Sequence, residues 1–248
     1  MYISHSILLP VFNGEKYLDQ QIASILAELD GNDELIIYDD GSKDNSSKIC
    51  ALVAESDSRV QFFREDQNIG LRGAINFLLA RAKNELIVYV DQDDVWLKGR
   101  LRKIQKFFPQ HDCVVVNAEL CDSDLRLKKK TYFNLIGLTS NIFNMFLRCR
   151  VLGCCMVFKR SSLGSSFEIP YGCWHDHFTI MWLMLRRKSI YYDKRPLVLY
   201  RRHENALSSA GSSNNIYSRI PLIIFNRVVL IVSMFSHLIK YLFVGKFS

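Results

Sequence analysis

An apolar run that ends abruptly in carboxylates constrains this chain more than any other stretch: Leu86-Ile87-Val88-Tyr89-Val90, then Asp91-Gln92-Asp93-Asp94-Val95-Trp96. A run rich in Ile, Val and Tyr predicts a strand covered on both faces. In open α/β sheets, ligands bind in the crevice beyond the C-terminal ends of such strands. Three carboxylates within four positions repel one another unless a cation lies among them. An all-oxygen ligand set favours Mg²⁺ or Mn²⁺, with phosphate oxygens and water completing the shell, so a metal–diphosphate is the expected partner. The competing reading is a solvated turn capping a helix that begins near Lys98, and the motif alone divides evenly between the two.

The stretches before it repeat the pattern. Ser6 to Val11 reads as a first strand, and Leu18, Ile22, Ile25, Leu26 and Leu29 recur at helical spacing, with Asn13 as the expected N-cap and Gly31-Asn32 as the stop. Glu34 to Tyr38 is a second strand, and it too runs into acid at Asp39-Asp40. Strand, helix, strand is a right-handed βαβ unit. Carboxylates at that strand end could accept from a base N–H or from ribose hydroxyls, or could simply form a turn capping a helix from Ser46 to Glu55. Val60 to Arg64, a helix over 71–82 and Leu86 to Val90 extend the alternation into a mostly parallel central sheet flanked by helices. Parallel strands share their C-terminal edge, so one cleft collects both acidic clusters.

The 248 residues, 49% hydrophobic, suffice for one large domain or two small ones. Seven cysteines without a C-x-x-C pair suit buried thiols in a reducing compartment. Met1 to Phe12 carries no basic n-region or small-residue cleavage site, which predicts a cytoplasmic protein. The net charge of +7 is unevenly placed: residues 1–110 hold 13 basic and 17 acidic side chains, residues 111–248 hold 19 and 8. The basic half calls for an anionic partner, a membrane surface or a pyrophosphate-bearing substrate. No nucleic-acid module or aromatic-basic stacking stripe is evident, so nucleic acid is not expected.

Ile7 to Asn13 followed by Tyr17-Leu18, then IIYDDGSKDNS, then QNIG with Asn76-Phe77, then VYVDQDDVWL, together resemble the nucleotide-sugar half of a family 2 glycosyltransferase of the GT-A fold. The resemblance covers roughly the first 105 residues. It implies nucleotide contacts from Pro10, Val11, Asn13, Glu15, Asp39 and Asp40. It makes Asp91 and Asp93 the motif aspartates that hold Mn²⁺ or Mg²⁺ and the donor diphosphate, with Asp94 beside them, and leaves open which of the three ligates directly. On this reading residues 1–110 are the nucleotide-sugar half, 111–210 the acceptor half of the same domain, and 216–248 an apolar C-terminal helix.

The second half is less regular. Asp112 to Asn117 reads as a strand, 121–130 as a polar excursion ending in Arg126, Lys128, Lys129 and Lys130, 134–148 as one or two short helices, and Val151 to Lys159 as a strand in which Gly153 permits close backbone approach. A helix opens at His175-Asp176-His177. Asp176 resembles the acidic residue that family members use as general base; alone, it reads as a helix cap. His175 and His177, two positions apart on a helix, face different ways and are not expected to share a metal. Leu197 to His203 reads as a late strand, and Tyr200-Arg201-Arg202-His203 resembles a segment of rhamnosyltransferase-like members. It implies that Arg201, Arg202 and His203 face the diphosphate, although Ala206 stands where an Asn is often found. Rhamnose is the favoured sugar, ahead of glucose or galactose.

Residues 208–215 read as a small-polar linker, and 220–244 are intensely apolar. Arg227 and Lys240 bracket 12 residues, about 18 Å of helix against about 30 Å of hydrocarbon core. An interfacial helix is therefore expected, anchored by Phe225, Phe235, Tyr241 and Phe243; packing onto the domain or a second subunit is the competing reading. The resemblance, taken with the basic and apolar C-terminal half, implies an inverting transfer from a UDP- or dTDP-sugar to a polyprenyl-diphosphate-linked saccharide in surface-polysaccharide (O-antigen) assembly, at the cytoplasmic face of an anionic inner membrane. A metal-dependent nucleotidyltransferase or phosphohydrolase, or a silent nucleotide-binding subunit, are the alternatives from other classes.

Overall fold

The computed structural model describes residues 2–203, 227–236 and 239. Seven elements alternate along its first half: β1 (His5–Val11), α1 (Glu15–Leu26), β2 (Glu34–Asp40), α2 (Ser46–Ser56), β3 (Val60–Glu65), α3 (Gly70–Arg81) and β4 (Leu86–Tyr89). The four strands pair in parallel in the order β3-β2-β1-β4. Every residue of β1, β2 and β4 is buried, which is why these strands read as continuous apolar runs. Leu18, Ile22 and Ile25 form the buried stripe of α1.

Asn13 is not the N-cap of α1. Gly14 takes that position without a side-chain cap, while Asn13 adopts φ +49° and its Oδ1 accepts from Lys43 N at 2.8 Å. The helix also stops before Gly31, at Leu26.

The second half adds β5 (Val95–Trp96), α4 (Arg100–Gln105), β6 (Cys113–Cys121), β7 (Leu127–Thr131), α5 (Tyr132–Ile136), α6 (Ile142–Leu147), β8 (Met156–Lys159), α7 (His175–Leu185) and β9 (Ile190–Arg201). The full order is β3-β2-β1-β4-β8-β6-β9-β5, with β7 paired to β6. β8 is antiparallel to both β4 and β6, so β6 runs with the first four strands, and β9 is parallel to β6. Six strands therefore bring their C-terminal ends to one edge, while β5, β7 and β8 run against them. The basic stretch expected to be an irregular excursion is instead the hairpin strand β7. The strand expected from Val151 begins only at Met156, after a 3₁₀ turn at Gly153–Cys155.

Residues 227–236 are helical, with Leu230 and Met234 buried in the common core. No helix among the described residues is long and apolar enough to cross a membrane. The linker at 208–215, Ala206, and the anchors Phe225, Tyr241 and Phe243 lie outside the described residues.

Candidate functional site

The three aspartates after β4 have three different surroundings. Asp94 is buried, and its Oδ1 accepts from the backbone N–H of Arg201 at 3.0 Å. This contact follows from the β5–β9 pairing, which sets Val95 opposite Leu199. Burial, then the charges of Asp93 and Asp91, hold the Asp94 carboxyl well above the ordinary carboxylate range. Asp93 is partly exposed, and its Oδ2 lies 2.8 Å from His203 Nε2. Asp91 lies between these extremes: burial of its carboxyl, then the charges of Asp93 and Asp176, push it up to about 7. The start of α7 lies beside the end of β4, where His175 packs 5.2 Å from the Tyr89 ring, so the charge of Asp176 bears on Asp91.

Two candidate ligand sets emerge. Asp91, Asp94 and Cys154 offer atoms that all lie within 4.8 Å of one another. A buried thiol and a carboxylate already engaged by a backbone N–H are poor partners for a hard cation that must also reach a diphosphate. Asp93 and His203, with Asp91 two positions away, offer the second set, a carboxylate and an imidazole 2.8 Å apart. Asp94 is the member of the motif that the β5–β9 pairing ties to the protein interior.

Arg201 departs from the expectation that it faces the diphosphate. It is buried, and its guanidinium donates through Nε to Asp93 O at 2.7 Å, through Nη2 to Gln20 Oε1 at 2.8 Å, and through Nη1 to Ser123 O. Its carbon Cζ lies 4.3 Å from the centroid of the Tyr17 ring, which also packs against His203 at 4.9 Å. Arg201 therefore ties α1, the acidic motif and the β6–β7 turn together. Arg202 is exposed.

At the other side of β1, Pro10 and Val11 are buried at the strand end and pair with Tyr38 and Asp39. The loop after β1 is laced to the loop after β2. Asn13 N donates to Ser42 Oγ, Gly14 N to Ser46 Oγ, Glu15 N to Asp44 Oδ2, and Glu15 Oε2 accepts from Asn45 N. Asn13 and Glu15 brace this rim. Asp39 is fully buried; Oδ1 accepts from Ser42 N at 3.0 Å, while Oδ2 makes no hydrogen bond among the described residues and pairs loosely with Arg64 Nε at 3.9 Å. A buried carboxylate oxygen that makes no hydrogen bond suits a ligand N–H or O–H. Asp40 is engaged elsewhere: Oδ1 accepts from Ile69 N at 2.7 Å, holding the start of α3.

Asp176 occupies the first turn of α7 and is partly exposed, with Oδ1 accepting from His177 N at 2.6 Å. The flanking histidines diverge, as their spacing predicted. His175 packs edge-on to Tyr89 at 5.2 Å and lies so close to Gly153 that a Cβ there would meet its Nε2 at 2.3 Å. His177 Nε2 donates to Met145 O at 2.9 Å, and its Nδ1 accepts from Arg227 at 3.2 Å.

Gln92 and Arg100 escaped the sequence reading. Gln92 clips the motif to the end of β1 through Phe12 N at 2.9 Å and Phe12 O at 3.0 Å, and a Cβ at Gly14 would collide with it at 2.4 Å. The glycine at 14 was the available signal. Arg100 is buried over Trp96 and donates to Cys154 O at 2.6 Å, supporting the turn behind Asp91 and Asp94. Nothing in the local pattern marks it.

Comparison with known proteins gives this geometry its context. The chain is 37% identical over 120 residues to an uncharacterized glycosyltransferase of Haemophilus influenzae, spanning 48% of each. It is 27% identical over 230 residues to the dTDP-rhamnosyl transferase RfbG of Shigella flexneri, covering 86% of this chain and 78% of that one. Staphylococcus aureus TarS, solved with UDP-GlcNAc, superimposes with a TM-score of 0.66 at 18% identity, over 90% of this chain and 66% of that one; this likeness carries the GT-A fold alone. The chain thus spans about half the length of the Haemophilus relative and just under two thirds of the TarS fragment. The model named Glycosyl transferase family 2 matches residues 6–167, most of the sheet and both acidic strand ends, and the chain belongs to that family.

Proposed function

We propose that this glycosyltransferase is inverting and metal-dependent, moving one sugar from a UDP- or dTDP-sugar to a hydroxyl of a polyprenyl-diphosphate-linked saccharide in surface-polysaccharide assembly, at the cytoplasmic face of the inner membrane. The observation that supports it is the placement of the α7 start beside the end of β4, with His175 5.2 Å from Tyr89, and of His203 2.8 Å from Asp93. Asp39 Oδ2 receives the imide N–H of uracil or thymine, a hydrogen bond that the loose Arg64 ion pair at 3.9 Å does not supply. Asp93, Asp91 and His203 hold Mn²⁺ or Mg²⁺, which when bound neutralises charge on the departing diphosphate. Arg202 adds positive charge at the same rim. Asp176 takes the proton of the acceptor hydroxyl as it attacks the anomeric carbon from the opposite face, so no covalent enzyme intermediate forms. Rhamnose is the favoured sugar, supported by the Tyr200–His203 segment and by the likeness to RfbG.

The test is nucleoside-diphosphate release from a panel of UDP- and dTDP-sugars with Mn²⁺, Mg²⁺ or EDTA, with and without bacterial lipid extract. Metal-dependent release from one donor, accelerated by the extract, is expected. In Asp176→Asn, transfer falls by about 10²–10⁴-fold with donor affinity retained. Release of phosphate or pyrophosphate would instead mark a phosphohydrolase or nucleotidyltransferase, and metal-dependent nucleotide binding without turnover in any mixture would mark a silent subunit.

A further inference from the structure

The helix at 227–236 is apolar on two sides. Leu230 and Met234 are buried against the domain, whereas Val228, Ile231, Val232 and Phe235 are exposed, Phe235 by 65%. These four recur at i, i+3, i+4 and i+7, so they form one continuous face. A helix that is hydrophobic all round is normally buried all round. This face therefore calls for a covering.

The same helix is fastened beside the start of α7. The Arg227 guanidinium donates to Leu147 O and His177 Nδ1, Val229 lies where it would meet a Cβ on Gly172 at 3.1 Å, and Ser233 hydrogen-bonds the Cys173 thiol. These contacts join it to two other exposed apolar groups. Phe143 and Leu147 project from α6, and Tyr171 and Trp174 from the loop that leads into α7, two residues before Asp176. Three separate segments thus contribute apolar side chains around one junction, which exceeds the scattered exposure of an ordinary surface.

We propose that this junction is a lipid-docking face, seated in the headgroup and upper acyl region of an anionic bilayer, and that it brings the acceptor side of the cleft to the membrane plane. The deduction rests on the proposed lipid-linked acceptor only for its purpose; the surface stands on its own residues. Charge decides the occupant. Arg148 is exposed at the end of α6, Arg227 lies within the junction, and the Arg72 guanidinium sits 5.5 Å from the centroid of the Tyr171 ring. Like charge would oppose a second copy of the same face, while anionic headgroups complement it. Tyr171 and Trp174 suit the interface, where an amphipathic ring keeps its polar atom hydrated.

The chain itself carries the probe. Of three tryptophans, Trp96 and Trp182 are 4% and 1% exposed and Trp174 is 54% exposed, so a change in emission on lipid binding reports on Trp174. Vesicles of mixed phosphatidylglycerol and phosphatidylcholine should sediment the 248-residue chain and shift its emission to the blue. Pure phosphatidylcholine should bind at least about tenfold more weakly. Val232→Ser/Phe235→Ser, with wild-type circular dichroism and UDP affinity, should lower partitioning by about tenfold or more. Absence of both sedimentation and a shift for the wild-type protein on anionic vesicles would overturn the proposal. So would a blue shift that grows with protein concentration without lipid, since a second copy would then be the covering. Vesicle binding without turnover of any lipid-linked acceptor would sink the proposed function and leave this surface intact; turnover without vesicle binding would do the reverse.

Discussion

Arg201→Met separates two roles that one arginine at a strand end could have. If the guanidinium faced the diphosphate, its loss would weaken donor binding and leave the fold alone. The structure points the other way. Arg201 is buried and donates to three protein acceptors, Asp93 O, Gln20 Oε1 and Ser123 O, while stacking on Tyr17. Each hydrogen bond from a charged donor contributes about 1.5–3 kcal/mol, and an enclosed cation–π contact roughly 1–2 kcal/mol. Rehydration of Gln20 and Ser123 in the variant returns part of this, and methionine refills some of the volume, which leaves a loss of about 3–5 kcal/mol. Against a typical total of about 5–15 kcal/mol, the variant should unfold at a much lower urea concentration, measured by circular dichroism. Arg201→Lys should recover little, because an ammonium cannot reach three diverging acceptors. Arg202→Ala is the contrast: urea midpoint unchanged, UDP affinity reduced a few-fold by loss of a rim charge. An Arg201→Met protein within about 1 kcal/mol of wild-type stability, yet more than tenfold weaker for UDP, would refute the assignment.

Gly153→Ala places a methyl 2.3 Å from His175 Nε2 and so displaces the residue beside Asp176; kcat should fall about 10- to 100-fold with donor KM nearly unchanged, and Gly153→Ala/His175→Ala should regain part of the loss. Burial holds His175 and His177 below the ordinary histidine value of 6.5, so the unfolded chain takes up their protons first; stability is full above about pH 6.5 and falls below it, by up to about 1.4 kcal/mol per pH unit per histidine, and His177→Gln should flatten the profile of urea midpoint against pH. Chelation with EDTA should reduce transfer to background and re-addition of Mn²⁺ restore it, whereas Asp93→Asn should resist rescue at the same Mn²⁺ concentration; equal rescue of both would remove Asp93 from the ligand set.

The first half of the fold was legible because its strands are covered on both faces. β1, β2 and β4 are uniformly buried, so they appear in the sequence as unbroken apolar runs, and their bounds agree to within two residues. β7 failed that test for a physical reason. It is an edge strand built of Leu127, Lys128, Lys129, Lys130 and Thr131, exposed along nearly its whole length, and lysines on an edge deter pairing with other chains while imitating a solvated loop. The run from Val151 misled in the opposite sense. It is as apolar as a strand, but the close approach of His175 to Gly153 sets a 3₁₀ turn there first. β5 is two residues long, too short for any periodicity to reveal.

For the site, the sequence disclosed an inventory of charge and not its partition. Asp91, Asp93 and Asp94 are adjacent in the chain, yet Asp94 belongs to the protein interior and Asp93 to the cleft, and the difference is made by β9, more than a hundred positions away. Once Val95 is set opposite Leu199, the backbone N–H of Arg201 meets Asp94 and its side chain runs back beneath Asp93. Just past the end of β9, Arg202 is exposed and His203 meets Asp93 at 2.8 Å. The same register gives each member of Arg201-Arg202-His203 a different environment, although the sequence presents the three as one cationic cluster. A motif of this kind therefore names the chemistry of an edge, while the pairing of a distant strand decides which of its residues reach the ligand.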